Sequence, residues 1–210
     1  MKKQHTTFQF NISIDRIKED ASKIEIKNRS FIISYEEFIK YFSAIGELNR
    51  HHIIIGTHFT YGWMPTIIDL KHDSIDIIVS ILNKVKKGKI LSSAELNQLR
   101  IGINNSLVGC SKLLHFINPD NYAIWDSRVY KYLTNLEPYD YRINDYEAYQ
   151  KYLELCHELT TDTQFKQIHN DINEKMGYDV SKLRAVEVIM YETEKMRSEG
   201  KKLKIANKVL

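Results

Sequence analysis

Lys112 and Asp126 are the residues of this chain whose types and placement are best suited to chemistry. Both stand in the stretch Leu107–Val129 (LVGCSKLLHFINPDNYAIWDSRV), on either side of a loop marked by Asn118-Pro119. A lysine amine attacks an electrophilic carbon and forms a Schiff base, provided burial lowers its pKa enough to leave it neutral. An aspartate at a helix N-terminus is kept ionised by the helix dipole, and its carboxylate then stabilises positive charge growing on a reacting carbon. Charge of that kind develops on a sugar when its glycosidic bond breaks. Taken singly, Asp126 is equally a helix N-cap worth about 1 kcal/mol, and Lys112 equally a solvated helix lysine. Their order along one short stretch is what joins them.

The elements that must position this pair read as mostly helical. Phe8, Phe10, Ile12 and Ile14 alternate with polar residues, as do Ile24 and Ile26 before Phe31-Ile32-Ile33, which predicts a short β-rich segment over 1–33. The period changes at Ser34. Ser34 and Glu37 have capping-box spacing, and Phe38, Tyr41, Phe42 and Ile45 share one helical face. A helix through Ile75, Ile78, Val79, Leu82 and Val85 should stop at Gly88, and Ser92 with Glu95 should cap another through Leu96 and Leu99. Gly109 marks a turn before a short helix, Lys112–Phe116, which ends at Asn118 because a residue before proline resists helical geometry. Asp126–Leu133 follows. Three more helices carry Tyr146, Tyr149, Leu153 and Cys156; then Phe165, Ile168, Ile172 and Met176, closed by Gly177; then Leu183, Val186, Ile189, Met190, Thr193 and Met196, closed by Gly200. The chain thus divides into 1–33, a helical domain over 34–200 and a basic tail over 201–210.

Glycine turn, lysine, apolar helix, proline-marked loop and Trp125-Asp126-Ser127-Arg128-Val129, in that order, resemble the helix-hairpin-helix DNA glycosylases. The close resemblance covers about residues 105–135. The family's glycines usually lie two and four positions before the lysine; here Val108 and Cys110 stand there, with Gly109 between. The resemblance implies a helix-hairpin-helix glycosylase-like helical body acting on DNA that carries a damaged or modified base. It implies Asp126 as the residue driving base excision and Lys112 as a Schiff-base nucleophile, with Gly109, Ser111 and Arg128 on the DNA backbone. A base flipped out of the duplex needs aromatic walls and hydrogen-bonding groups. His58, Tyr61, Trp63, His115 and Trp125 are the candidates. Gly62 and Pro65 predict that His58–Thr66 is a turn, and Trp63 is equally a core residue. The cysteine array of the family's iron–sulfur members is absent, so no cluster or other cofactor is expected. The protein is expected to act as a monomer, in repair or in defence against phage DNA.

Composition sets the outer bounds. A 43% hydrophobic and 27% charged content is that of an ordinary globular protein. No apolar run reaches the roughly 20 residues of a membrane span, and Met1-Lys2-Lys3-Gln4-His5 does not begin a secretory signal. Two cysteines, Cys110 and Cys156, make no disulfide framework or zinc pattern, so a reducing cytoplasm is expected. A net charge of +3 argues weakly for a polyanion partner. Lys84, Lys86, Lys87 and Lys89 are either phosphate contacts or solvated helix ends, and the seven tyrosines between Tyr130 and Tyr152 are either stacking groups or helix packing. Two other functions remain open. One is a DNA-binding module without excision. The other is a Mg²⁺-dependent nuclease built on Glu25-Ile26-Lys27 with Asp15 or Asp20.

Overall fold

Helix, not strand, follows the first described residues. A computed structural model of the chain describes residues 10–26, 30–64 and 66–209, with side chains as far as Gly200. Phe8 lies outside them. Ser13 caps helix α1 (Ile14–Lys23) by accepting from the Arg16 N–H at 3.3 Å, and this cap ends the alternation of Phe10, Ile12 and Ile14. Ile17, Ala21 and Ile24 are then buried at helical spacing. Phe31-Ile32-Ile33 open α2 (Ser30–Ala44). A three-residue apolar run fits either period, but Ile32 and Tyr35 are buried while Ile33 is 63% exposed, which is a helix turning one face inward. Ser34 therefore lies inside α2, where its hydroxyl donates to the Ser30 carbonyl instead of capping.

Nine further α-helices follow among the described residues: α3 (Arg50–Trp63), α4 (Ile75–Lys86), α5 (Ser93–Gly102), α6 (Leu107–Ile117), α7 (Ser127–Thr134), α8 (Asp140–Ile143), α9 (Tyr146–Thr161), α10 (Phe165–Met176) and α11 (Lys182–Val209). Several boundaries fall where the sequence puts them. Gly88 follows α4 at φ 91°, Gly177 closes α10 at φ 83°, and Ser92 with Glu95 forms the capping box of α5. Others do not. A capping box of Asn49 and His52 starts α3, which takes His58–Trp63 into a helix where a turn was expected; Pro65 lies outside the described residues. At the other end α11 runs through Gly200 to Val209. One glycine costs a helix only about 1 kcal/mol.

The body has two helical centres. α6 packs against α2, α3, α4 and α5, whereas α11 packs against α7, α1, α9 and α10. The reversal before α6 lies upstream of the expected glycine turn. α5 ends at Gly102, and Asn104 and Asn105 take left-handed conformations (φ 55° and 51°) in the tight link to α6. Asn104 is pinned from both sides, its N–H donating to the Asp69 carbonyl (2.9 Å) and its Oδ1 accepting from the Asp69 N–H (2.7 Å). Gly109 is not a turn residue. It lies in the first turns of α6, and a Cβ there would overlap the hydroxyl and ring of buried Tyr61.

The two centres are joined by a stretch outside helix or strand, Tyr122–Trp125, of which every residue is at most 1% exposed. Buried backbone outside a helix or sheet needs other partners, and side chains supply them. The Tyr122 carbonyl accepts from His115 Nδ1 (2.5 Å), that of Ala123 from the Tyr149 hydroxyl (3.2 Å) and that of Ile124 from the Tyr152 hydroxyl (3.0 Å). Ser111 Oγ accepts the Trp125 N–H at 3.0 Å and lies 3.1 Å from the Trp125 carbonyl. Two losses test this arrangement. Gly109→Ala should destabilise by about 1–3 kcal/mol through overpacking on Tyr61, read as a lower urea midpoint at unchanged slope. Ser111→Ala leaves a buried N–H unpaired and should cost about 1–3 kcal/mol by the same measurement.

Candidate active site

Lys112 and Asp126 line one cavity of about 400 Å³. Val108 and Lys112 reach it from one face of α6, being four residues apart. Ile124 comes from the Tyr122–Trp125 stretch, and Asp126, Ser127 and Arg128 from the start of α7. A further wall is a single face of α11, with Arg184, Glu187, Val188, Tyr191 and Glu192 at helical spacing. Trp63 and Met64 at the end of α3 and Ile143 in α8 close the sides.

Asp126 is the N-cap of α7. Its Oδ1 accepts the N–H groups of Arg128 (2.9 Å) and Val129 (3.0 Å), and its Oδ2 has no protein donor among the described residues. Lys112 is half-buried by surface area. Loss of solvent pulls its amine below the usual lysine range, while the carboxylates of Asp126 and Glu187 oppose that shift. The amine lies 6.0 Å from the centre of the Trp63 ring, and among the described residues it has no hydrogen bond or ion pair. A nucleophilic amine requires such a setting, dry enough to favour the neutral form and free of a tight carboxylate partner.

The α11 wall carries a second pair of charges. Arg184 and Glu187 form an ion pair with side chains 4% and 3% exposed. The Arg184 guanidinium lies 4.7 Å over the Tyr35 ring and 5.8 Å from that of Trp63, and its Nε has no hydrogen-bond partner among the described residues. Glu187 takes the guanidinium on Oε2. Burial raises its carboxyl to about 7, and Asp126 adds to the rise, against the lowering pull of Arg184 and Lys112. Arg128 donates to the Tyr191 hydroxyl and stacks 4.7 Å over that ring.

Of the residues singled out from the sequence, Lys112, Asp126, Trp63 and Arg128 meet at the cavity. Arg128 is a wall residue held by Tyr191. His58 is exposed on α3, with Nδ1 on the Ile54 carbonyl at 2.6 Å. Tyr61 is buried against α6, its hydroxyl 3.4 Å from the Ile103 carbonyl. His115, Trp125 and Ser111 are fully buried. They build the support behind Asp126, with Trp125 Nε1 donating to the Ile143 carbonyl at 2.8 Å. His115 lies between the Tyr122 carbonyl and the Tyr35 hydroxyl (2.8 Å), and burial pushes it down to about 3.

The lysine cluster near Gly88 is largely consumed in packing. Lys84 and Lys89 pair with Glu95, and Lys86 donates to the Phe42 carbonyl. Asp20, a candidate metal ligand, accepts from the Tyr132 hydroxyl at 2.7 Å and faces Arg16 and Arg197. Glu25 lies in coil and Lys27 outside the described residues. Among the described residues no group of three His, Cys, Asp or Glu side chains is placed to hold a metal, and no helix is long and apolar enough to cross a membrane.

Arg184, Glu187 and Tyr191 are the wall residues that sequence reasoning missed. Their signal is polar side chains at helical spacing among Leu183, Val186, Ile189 and Met190, in a helix buried on more than one side. Comparison with protein families, characterised proteins and solved structures finds no match to this chain.

Glu187 and His115 have opposite effects on the pH dependence of stability. The raised Glu187 contributes stability that is full below its ordinary 4.5 and is lost as pH rises through about 7. The depressed His115 makes the fold gain stability as pH rises from about 3 through its ordinary 6.5. His115 is common to the wild type and Glu187→Gln, so its effect cancels between them. The stability of the wild type relative to Glu187→Gln should therefore fall between pH 4.5 and about 7, measured as urea midpoints on either side of that window.

Proposed function

We propose that the chain is a DNA glycosylase that excises a damaged or modified base. The observation that carries the reading is the convergence of a desolvated lysine amine and a helix-capping carboxylate on one cavity. Its volume of about 400 Å³ lies in the range of small-ligand sites, roughly 300–1,000 Å³, and suits a nucleoside turned out of a DNA strand. The four-residue link from Ile103 to Ser106 between α5 and α6 lies upstream of the Gly109 turn of the sequence resemblance, so the reading rests on the cavity and not on a hairpin.

The reaction follows from the groups present. Trp63 offers a face to the flipped base. As the C1′–N bond lengthens, its electron pair leaves with the base and positive charge grows on the sugar. Asp126 Oδ2 meets that charge, while Oδ1 stays on the α7 amides that fix the group in direction. The Lys112 amine, in its unprotonated form, supplies the electron pair that closes on C1′; the C1′–O4′ bond then breaks, O4′ takes up a proton and a protonated Schiff base remains. Arg128 braces the same wall through Tyr191.

The test is base release from a panel of DNAs carrying oxidised, alkylated and other modified bases, without added metal. Asp126→Asn keeps a capping oxygen and removes the charge, so release should drop by about 10²–10³ while the fold persists. Lys112→Gln should abolish the borohydride-trapped adduct seen with wild type. DNA binding with no release from any substrate would instead support a binding module.

A further inference from the structure

Glu187 is a carboxyl group of the cavity that the roles of Lys112 and Asp126 leave unused. We propose that Glu187 is the proton-transfer group of the excision reaction, giving a proton to the departing base and recovering it from the attacking nitrogen of Lys112. This rests on the base-excision reading above.

Glu187 and Lys112 line the same cavity, without an ion pair between them among the described residues. Glu187 projects from α11 into the cavity that Lys112 and Asp126 line from α6 and α7. Arg184 occupies Oε2, which fixes the carboxyl plane, and Oε1 has no protein donor among the described residues. The group is thus held through one oxygen, while the other makes no hydrogen bond within the protein among the described residues. Lys112 and Glu187 also feel each other's charge, so a proton gained by one favours its loss from the other.

The proton account closes. The acid form of Glu187 protonates a nitrogen or oxygen of the base as the C1′–N electron pair departs with it. Lys112 forms its bond to C1′ as a neutral amine and becomes a secondary ammonium. That ammonium returns a proton to the Glu187 carboxylate, and the same proton passes to O4′ as the C1′–O4′ bond breaks and the nitrogen pair forms the protonated Schiff base. One water hydrolyses the Schiff base and frees Lys112 as an ammonium, whose proton returns to the Glu187 carboxylate and resets the acid; nothing is oxidised or reduced.

The groups facing Glu187 come from every side. Lys112 acts from α6, Asp126 from α7, Tyr35 from α2, Tyr152 and Cys156 from α9, and Arg184 and Tyr191 from its own helix. Burial outweighs the two cations and holds the carboxyl at about 7, the range in which an acid can give and regain a proton near neutral pH.

Single-turnover base release should be followed against pH for wild type, Glu187→Gln and Glu187→Asp, with binding to an uncleavable abasic-analogue DNA as control. The wild-type rate should decline as pH rises past about 7. Glu187→Gln should lose that limb and be slower by about 10²–10⁴ with binding retained, and Glu187→Asp should recover part of the rate. A carboxylic-acid infrared band titrating near 7 should be present in the DNA-free wild type and absent from Glu187→Gln. Wild-type rate and pH profile in Glu187→Gln would overturn the proposal and leave base excision standing. So would a wild type without a carboxyl titrating in that range, a result that needs no variant to fold. A wild type that releases no base from any substrate would remove the excision reading and the proposal together.

Discussion

The burial of Tyr122–Trp125 outside any helix or strand is the constraint on which the rest of the structure depends. Its carbonyls cannot pair along a helix or sheet, and an unpaired buried peptide group costs about 1–3 kcal/mol. His115, Tyr149, Tyr152 and Ser111 meet the cost together. Each must come from a helix at the right height, so α6 and α9 are set against the stretch by hydrogen bonds as well as by apolar contact. Asp126 is the next residue. Its direction is therefore determined twice, by the anchored backbone before it and by the α7 amides after it.

The same support accounts for the cavity's electrostatics. His115 donates through Nδ1 to Tyr122, which leaves Nε2 to accept from Tyr35, and the Tyr35 ring lies under the Arg184 guanidinium. Arg184 in turn holds Glu187. One connected network thus runs from the backbone behind Asp126 to the Glu187 carboxyl on α11. A buried ion pair is a poor source of net stability, since its desolvation offsets its attraction, but loss of one partner typically costs about 3–5 kcal/mol. Such a pair is better understood as holding two groups in place than as stabilising the fold. Lys112 stands apart, with its charge disfavoured by burial and no tight partner to restore it.

What local sequence determined was the set of stops, caps and long amphipathic helices. Gly88 and Gly177 take positive φ, Ser92 and Glu95 close on one another, and Asp126 caps α7, because each of these depends on neighbours a few residues away. Lys112 and Asp126 were also legible as a pair, and they do share a cavity. Tertiary packing decided the rest. Phe31-Ile32-Ile33 fits a strand until the burial of Tyr35 and Ile32 commits it to a helix. Gly109 looks like a turn residue but serves the close approach of Tyr61, a contact set by a helix far away in sequence. His115, Ser111 and Trp125 carry groups fit for a substrate, and only the position of the Tyr122–Trp125 backbone turns them into its supports. Glu187 was invisible for the same reason. A carboxyl acquires an altered acidity from what surrounds it in space, and the charges around Glu187 come from helices spread along most of the chain.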